Sequence, residues 1–173
     1  MILSDILKDV KSVGITGHIR PDGDCTGSVL ALYNYIVENM PETDVDLYLE
    51  QPGSEFYYLK NIDKIKNTPE DKKYDVFFVL DCSSLDRIEP FISCFNNASK
   101  TVCIDHHVSN TGFTDLSKIE PQEVQHVKFY MVLWMLIKSA VMWQNVFIQE
   151  LFMIQVYLNT AVNQRRQWKL PAR

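Results

Sequence analysis

Three short clusters of acids and imidazoles stand out: His18, Asp22 and Asp24 in GHIRPDGDCTGS, Asp81 in VLDCSSLDRI, and Asp105, His106 and His107 in VCIDHHVSN. Mixed carboxylate and imidazole donors suit manganese, zinc or iron, whereas all-oxygen sites suit magnesium or calcium. Asp22 and Asp24 flank a glycine, so a tight turn there would aim one carboxylate at each of two cations. Asp81, through its two oxygens, could bridge such a pair. Two cations about 3.5–4 Å apart would activate water and stabilise the leaving oxygen of an in-line phosphoryl displacement. Without cations, acids this dense repel one another, and some must take up protons. Each cluster alone has a plainer reading. Pro-Asp-Gly-Asp is common turn chemistry, Asp81 could cap a helix, and an isolated Asp-His-His carries little meaning. Chance explains all three together poorly, because each follows an expected strand.

The surrounding pattern supplies those strands. Val13 to Thr16, Val45 to Leu49, Asp75 to Leu80 and Thr101 to Ile104 read as strands, the third (DVFFVL) as a strongly buried one. Helical spacing covers Met1 to Lys11 and Val29 to Met40, with Ser54 to Asn61 and Leu85 to Phe95 also helical in character. Strands alternating with helices predict an α/β fold with an open, mostly parallel sheet and right-handed crossovers. Ligands of such sheets collect beyond the carboxyl ends of the strands. His18 to Asp24, Asp81 and Asp105 to His107 all fall there.

Composition narrows the class. The 173 residues are 46% hydrophobic and 23% charged, which is globular and large enough for a real core. The net charge of −5 offers no basic footprint for duplex nucleic acid, though a short anionic substrate could still be gripped through cations. Cys25, Cys82, Cys94 and Cys103 lack zinc-site pairing and are too sparse for a disulfide scaffold. The N-terminus has acidic residues where a signal peptide would be basic and apolar. The apolar run Phe129 to Ile137 is stopped by Lys138, short of a membrane span. A soluble, cytoplasmic chain with no membrane partner is expected.

GHIRPDGDCTGS, VLDCSSLDRI and VCIDHHVSN together resemble the first three motifs of the DHH phosphoesterase family, over about residues 1–121. Within that family they are most similar to bacterial enzymes combining oligoribonuclease (nano-RNase) and 3′-phosphoadenosine-5′-phosphate phosphatase activities. The resemblance implies a Rossmann-like N-terminal domain with a manganese pair. His18, Asp22 and Asp81 would hold one ion, and Asp24, Asp81 and His106 the other. His107 would face the substrate phosphate, and Asp105 would orient the histidines. The implied substrates are short oligoribonucleotides or a nucleoside bisphosphate. Rival readings are a cyclic dinucleotide phosphodiesterase, which could use the same metal core, and a non-catalytic remnant or interaction module.

Beyond Pro121 the family pattern stops. The fourth motif, with its last metal-binding aspartate, and the associated C-terminal domain are not legible in residues 122–173. All six glycines lie at or before Gly112, and all three tryptophans, Trp134, Trp143 and Trp168, lie beyond Pro121. Six Lys/Arg against Glu123 and Glu150 give this tail +4, leaving the front with −9 of the net −5. An out-of-frame tail explains the break. Reading the third base of each codon with the first two of the next, Met153-Ile154 must encode Asp, and Trp143-Gln144 must encode Ala. The same shift permits H-D-T-G, the motif otherwise missing. The plainer alternative is a native amphipathic helix over Val132 to Tyr157. An off-family tail predicts an incomplete sheet, a second cation site short of a carboxylate, weak stability and low activity.

Overall fold

In a computed structural model of the chain, which describes residues 3–119, six parallel strands form one sheet. The expectations for residues 120–173, the out-of-frame tail included, lie outside the described residues. The elements are α1 (Leu3–Ile6), β1 (Ser12–Thr16), α2 (Gly23–Asn39), β2 (Asp44–Tyr48), β3 (Ile65–Lys66), β4 (Val76–Leu80), α3 (Ile92–Asn96), β5 (Thr101–Asp105) and β6 (Leu116–Ile119). The strand order is β3-β2-β1-β4-β5-β6. Chain direction across the sheet therefore reverses between β1 and β4, the switch point at which open α/β sheets take their ligands.

β4 shows why the sheet forms. Val76, Phe78 and Leu80 pack with α1 and α2 residues such as Leu3, Val29 and Ile36. Phe77 and Val79 face the opposite way, into a second core with Tyr48, Tyr74, Ile88, Phe91 and Phe95. A strand covered on both faces needs apolar residues at every position, not alternate ones, which is the composition of VFFVL. Gly14 in β1 belongs to the same packing, because a Cβ there would collide with the Phe77 ring. Asp75 clips the start of β4 to β1, accepting the amides of Lys11 and Ser12 at 2.8 and 3.0 Å. Asp115 does the same for β5 and the chain entering β6, taking the Thr101 amide at 2.8 Å.

All four expected strands are present within a residue of the expected ends. Four local expectations change. Of the expected Met1 to Lys11 helix, only Leu3–Ile6 is helical among the described residues. Leu85 to Phe95 is not one helix: a 3-10 segment, Leu85–Phe91, contains Pro90 and gives way to α3. The kink falls at Ile88, two residues before Pro90, whose ring and missing amide do not suit a helix interior. Only Ser54–Phe56 of the expected Ser54 to Asn61 helix forms, as one 3-10 turn. α2 starts at Gly23 rather than Val29, and so absorbs half of the expected loop. No helix among the described residues is long and apolar enough to cross a membrane.

The edge strand β3 is tied in by charge. Lys66 Nζ lies 2.6 Å from Asp46 Oδ1, and Asp46 Oδ2 accepts from Lys72 Nζ and, at 2.8 Å, from Tyr74 Oη. Burial pushes the Asp46 carboxyl up, but the bonds from Lys66, Lys72 and Tyr74 outweigh it and hold the group below its usual value. A depressed native carboxyl contributes stability that is present above its unfolded value and lost as pH falls through the native one. The free-energy advantage of the native chain over Asp46→Asn should therefore be full near neutral pH and shrink below about pH 4. Urea unfolding of both chains across pH 3–7 checks it, and an advantage independent of pH would refute it.

Candidate metal centre

Three strand ends meet at the switch point. β1 leads through Gly17 to His18, β4 ends at Leu80 beside Asp81, and β5 ends on Asp105 with His106 and His107 following. Register aligns them, with Thr16 opposite Val79 and Leu80 opposite Ile104, and the Asp81 amide donating to Ile104 O at 3.0 Å. Gly17 lets α2 close on the strand, since a Cβ there would strike Cys25 Sγ. The β1–α2 loop is pinned by Ile19 N–H to Arg87 O at 2.8 Å and by Arg20 N–H to Glu50 at 2.6 Å.

Asp22 is the N-cap of α2, its Oδ1 accepting from the amides of Asp24 and Cys25 at 3.0 and 3.1 Å. The expected tight turn is in fact this capped first helical turn. It still points the two carboxylates differently. Asp22 Oδ1 lies 3.9 Å from His18 Nε2, while Asp24 Oδ2 lies 3.8 Å from His106 Nε2. The helix N-terminus also favours both negative charges.

Asp81 sits between the two groups, 2% exposed. Its Oδ2 is 3.7 Å from His18 Nε2, and its Oδ1 is 3.1 Å from His106 Nε2 and 3.7 Å from His107 Nδ1. The residue has a φ of 51°, left-handed and costly for a non-glycine. Burial pushes its carboxyl up; Asp24 and Asp22 add to that and His106 opposes it. Asp105 behaves oppositely. Burial would raise it, but His107 Nδ1 at 2.7 Å and Asn110 Nδ2 at 2.7 Å hold its carboxyl down. His106 is raised by the Asp81 carboxylate beside it, and His107 by its bond to Asp105, burial opposing in each case.

All seven sequence candidates thus gather at one edge. Two observations fit the donors to cations. His18 Nδ1 lies 2.8 Å from Ile19 O, which can only accept, so the ring's Nδ1 carries the hydrogen. In the neutral ring Nε2 then turns a lone pair toward the carboxylates of Asp22 and Asp81, an arrangement that repels unless a positive charge intervenes. Asp81 Oδ1 is moreover buried without a well-formed hydrogen bond. Asp81, Asp105, His106 and His107 each offer a ligand atom within 4.8 Å of the others.

Two residues with no role in the sequence reading belong to this neighbourhood. Cys25 Sγ shares a second cluster with His18 and Asp81, also within 4.8 Å. Burial raises its thiol well above the usual value, so it packs as a neutral thiol rather than as a thiolate. Asn110 touches Asp105. Its sequence signal, Asn two residues before Gly112, reads as a turn, and the turn exists: Asn110 Oδ1 accepts the Gly112 amide at 2.8 Å.

An all-parallel α/β sheet with acids and imidazoles converging at its switch point offers a candidate metal centre at the place where such sheets take their ligands. The chain belongs to the DHH family: residues 12–146 match its description "DHH family, N-terminal domain". It is similar to the bifunctional oligoribonuclease and PAP phosphatase NrnA of Mycoplasma pneumoniae, 34% identical over 115 residues, which is 61% of this chain and 35% of that protein. The chain thus spans about a third of that relative's length. Among solved structures, an exopolyphosphatase-related protein from Bacteroides fragilis shares the fold with a TM-score of 0.64 at 19% identity, over 79% of this chain and 42% of that one. Exonuclease RecJ bound to manganese follows with a TM-score of 0.51 at 12% identity, over 88% and 40%.

The cap and any cation-binding role of Asp22 are separable. Asp22→Ala should lower stability by about 1 kcal/mol through loss of the cap, whereas Asp22→Ser, which keeps a capping oxygen, should stay within a few tenths of the native chain. Thermal unfolding in EDTA measures both. Equal destabilisation by the two variants would show that the cap is not what Asp22 contributes to the metal-free chain.

Proposed function

We propose that the chain carries the metal centre of a manganese-dependent phosphoesterase that cuts very short oligoribonucleotides and 3′-phosphoadenosine-5′-phosphate. The observation that carries the proposal is the placement of Asp81: one oxygen faces His18, beside Asp22, and the other faces His106, beside Asp24. In this reading His18, Asp22 and Asp81 hold one ion, and Asp24, Asp81 and His106 hold the other. Mixed nitrogen and oxygen donors favour manganese over magnesium. When bound, the pair supplies activation of water and stabilisation of charge on phosphoryl oxygens.

The remaining residues orient and hold protons. Asp105 accepts the His107 Nδ1 hydrogen, fixing the ring so that Nε2 is the atom available to a substrate phosphate. In this reading residues 1–121 form the metal-bearing domain and 122–173 an off-family tail, although the family match itself runs on to residue 146. Short substrates accord with the net charge of −5, which disfavours a long polyanion, and with the activities in the name of the Mycoplasma pneumoniae relative. The cysteines Cys25, Cys82, Cys94 and Cys103 are all free and buried, which suits a reducing cytoplasm.

The test is metal binding and product analysis on the purified chain with pApA, pAp and cyclic di-AMP. Two manganese ions should bind per chain, and cleavage of pApA or pAp, even at a low rate, should stop with EDTA and with Asp81→Asn. Cleavage of cyclic di-AMP alone would move the substrate assignment to the rival phosphodiesterase. A chain that binds no manganese would end the metal-centre reading.

A further inference from the structure

Asn110 makes more of the site's internal contacts than its place in a turn requires. Its Nδ2 donates to Asp105 Oδ2 at 2.7 Å and to the carbonyl of Cys82 at 3.0 Å, and lies 3.5 Å from Cys103 Sγ. Its Oδ1 accepts the Gly112 amide, and its own amide donates to His107 O at 3.1 Å. The side chain is buried, so its removal would cost these bonds with no water at hand to replace them.

We infer that Asn110 is a positioning residue that fixes the Asp105–His107 pair and the backbone carrying Asp81 in a single arrangement. The inference rests on the metal-centre reading for its functional meaning. Without Asn110 the Asp105 carboxylate would keep only its bonds from His107 and the His106 backbone, and could pivot further about its Cβ–Cγ bond. With Asp105 Oδ2 held by Asn110, Oδ1 stays on His107 Nδ1, and the imidazole keeps one tautomer and one orientation. The second Nδ2 contact reaches across to β4. Cys82 is the residue after Asp81, whose left-handed backbone persists only where its surroundings impose it. The Asp81 amide to Ile104 O holds the peptide before Asp81, and Asn110 holds the Cys82 carbonyl, one peptide past the one that follows it. One amide thus couples the end of β4 to the end of β5, the two elements that supply Asp81 and the three residues Asp105–His107.

Imidazole NMR of the full chain tests this, helped by there being only four histidines to assign. In Asn110→Ala the His107 Nδ1 proton should exchange about tenfold faster than in the native chain and lose its downfield position. Asn34→Ala is the control. It removes another buried amide, bonded to Lys60 O at 3.4 Å and Asn61 Nδ2 at 2.6 Å, and should leave that proton unchanged. If Asn110→Ala does not fold, Asn110→Ser serves, because one hydroxyl hydrogen cannot satisfy both Cys82 O and Asp105 Oδ2. An unchanged His107 proton in the Asn110 variants, or equal loss in Asn34→Ala, overturns the inference. Broadening of the His106 and His107 signals by manganese in the native chain tests the centre independently. Broadening present with the proton unmoved by Asn110→Ala leaves the centre standing and removes the positioning role; no broadening removes the metal centre itself.

Discussion

A carboxylate buried among other carboxylates is the constraint around which this domain is arranged. Asp81 lies in the protein interior with Asp22 and Asp24 close enough to push its proton affinity up, and only imidazoles oppose them. Taking a lone carboxylate out of water costs several kcal/mol even after relaxation. Such a group persists only where the surrounding structure is stable enough to impose it. Here that structure is β4 itself, apolar on both faces and central in the sheet, ending just before Asp81, whose backbone turns left-handed.

The other site residues follow from that anchor. β1 and β5 flank β4 in parallel, and their register brings the residues after Thr16 and Ile104 level with Asp81. The reversal of strand order between β1 and β4 opens the space into which α2 directs its N-terminus. Asp22, on the extended cap, then lies by His18, and Asp24, in the first turn of that helix, lies by His106. Gly17 allows the close approach of strand and helix on which this geometry depends.

Much of this was legible in the sequence, for identifiable reasons. The four expected strands are continuous or alternating apolar runs, and three of them, β1, β4 and β5, lead into the acids and histidines, so motif and element announced each other. What escaped notice had weak local signals. β3 is two residues long and β6 four, mostly half-buried at the sheet edges, and neither Ile65-Lys66 nor LSKI carries a strand pattern of its own. α2 was expected to start six residues late because Asp22-Gly23 reads equally as a turn or as a cap followed by a helix. The cap's two amide bonds decide between them only in three dimensions. Asn110 and Cys25 were missed because their importance lies in contacts to residues on other strands, which no spacing along the chain encodes.

The sheet holds a second buried acid, and the contrast with Asp81 separates a structural group from a chemical one. Asp46 is about as buried as Asp24, yet its oxygens are met by Lys66, Lys72 and Tyr74, with Tyr48 bonded in turn to Tyr74 at 2.7 Å. Its charge is neutralised inside the chain, so its carboxyl is held down and the network fastens the edge strand to the sheet. At Asp81 the neighbours are acids and imidazoles, the carboxyl is pushed up, and one oxygen has no well-formed bond. Burial alone does not distinguish the two. The sign of what surrounds each carboxylate does: an acid matched by lysines is complete as it stands, whereas an acid matched by other acids calls for positive charge from outside the chain.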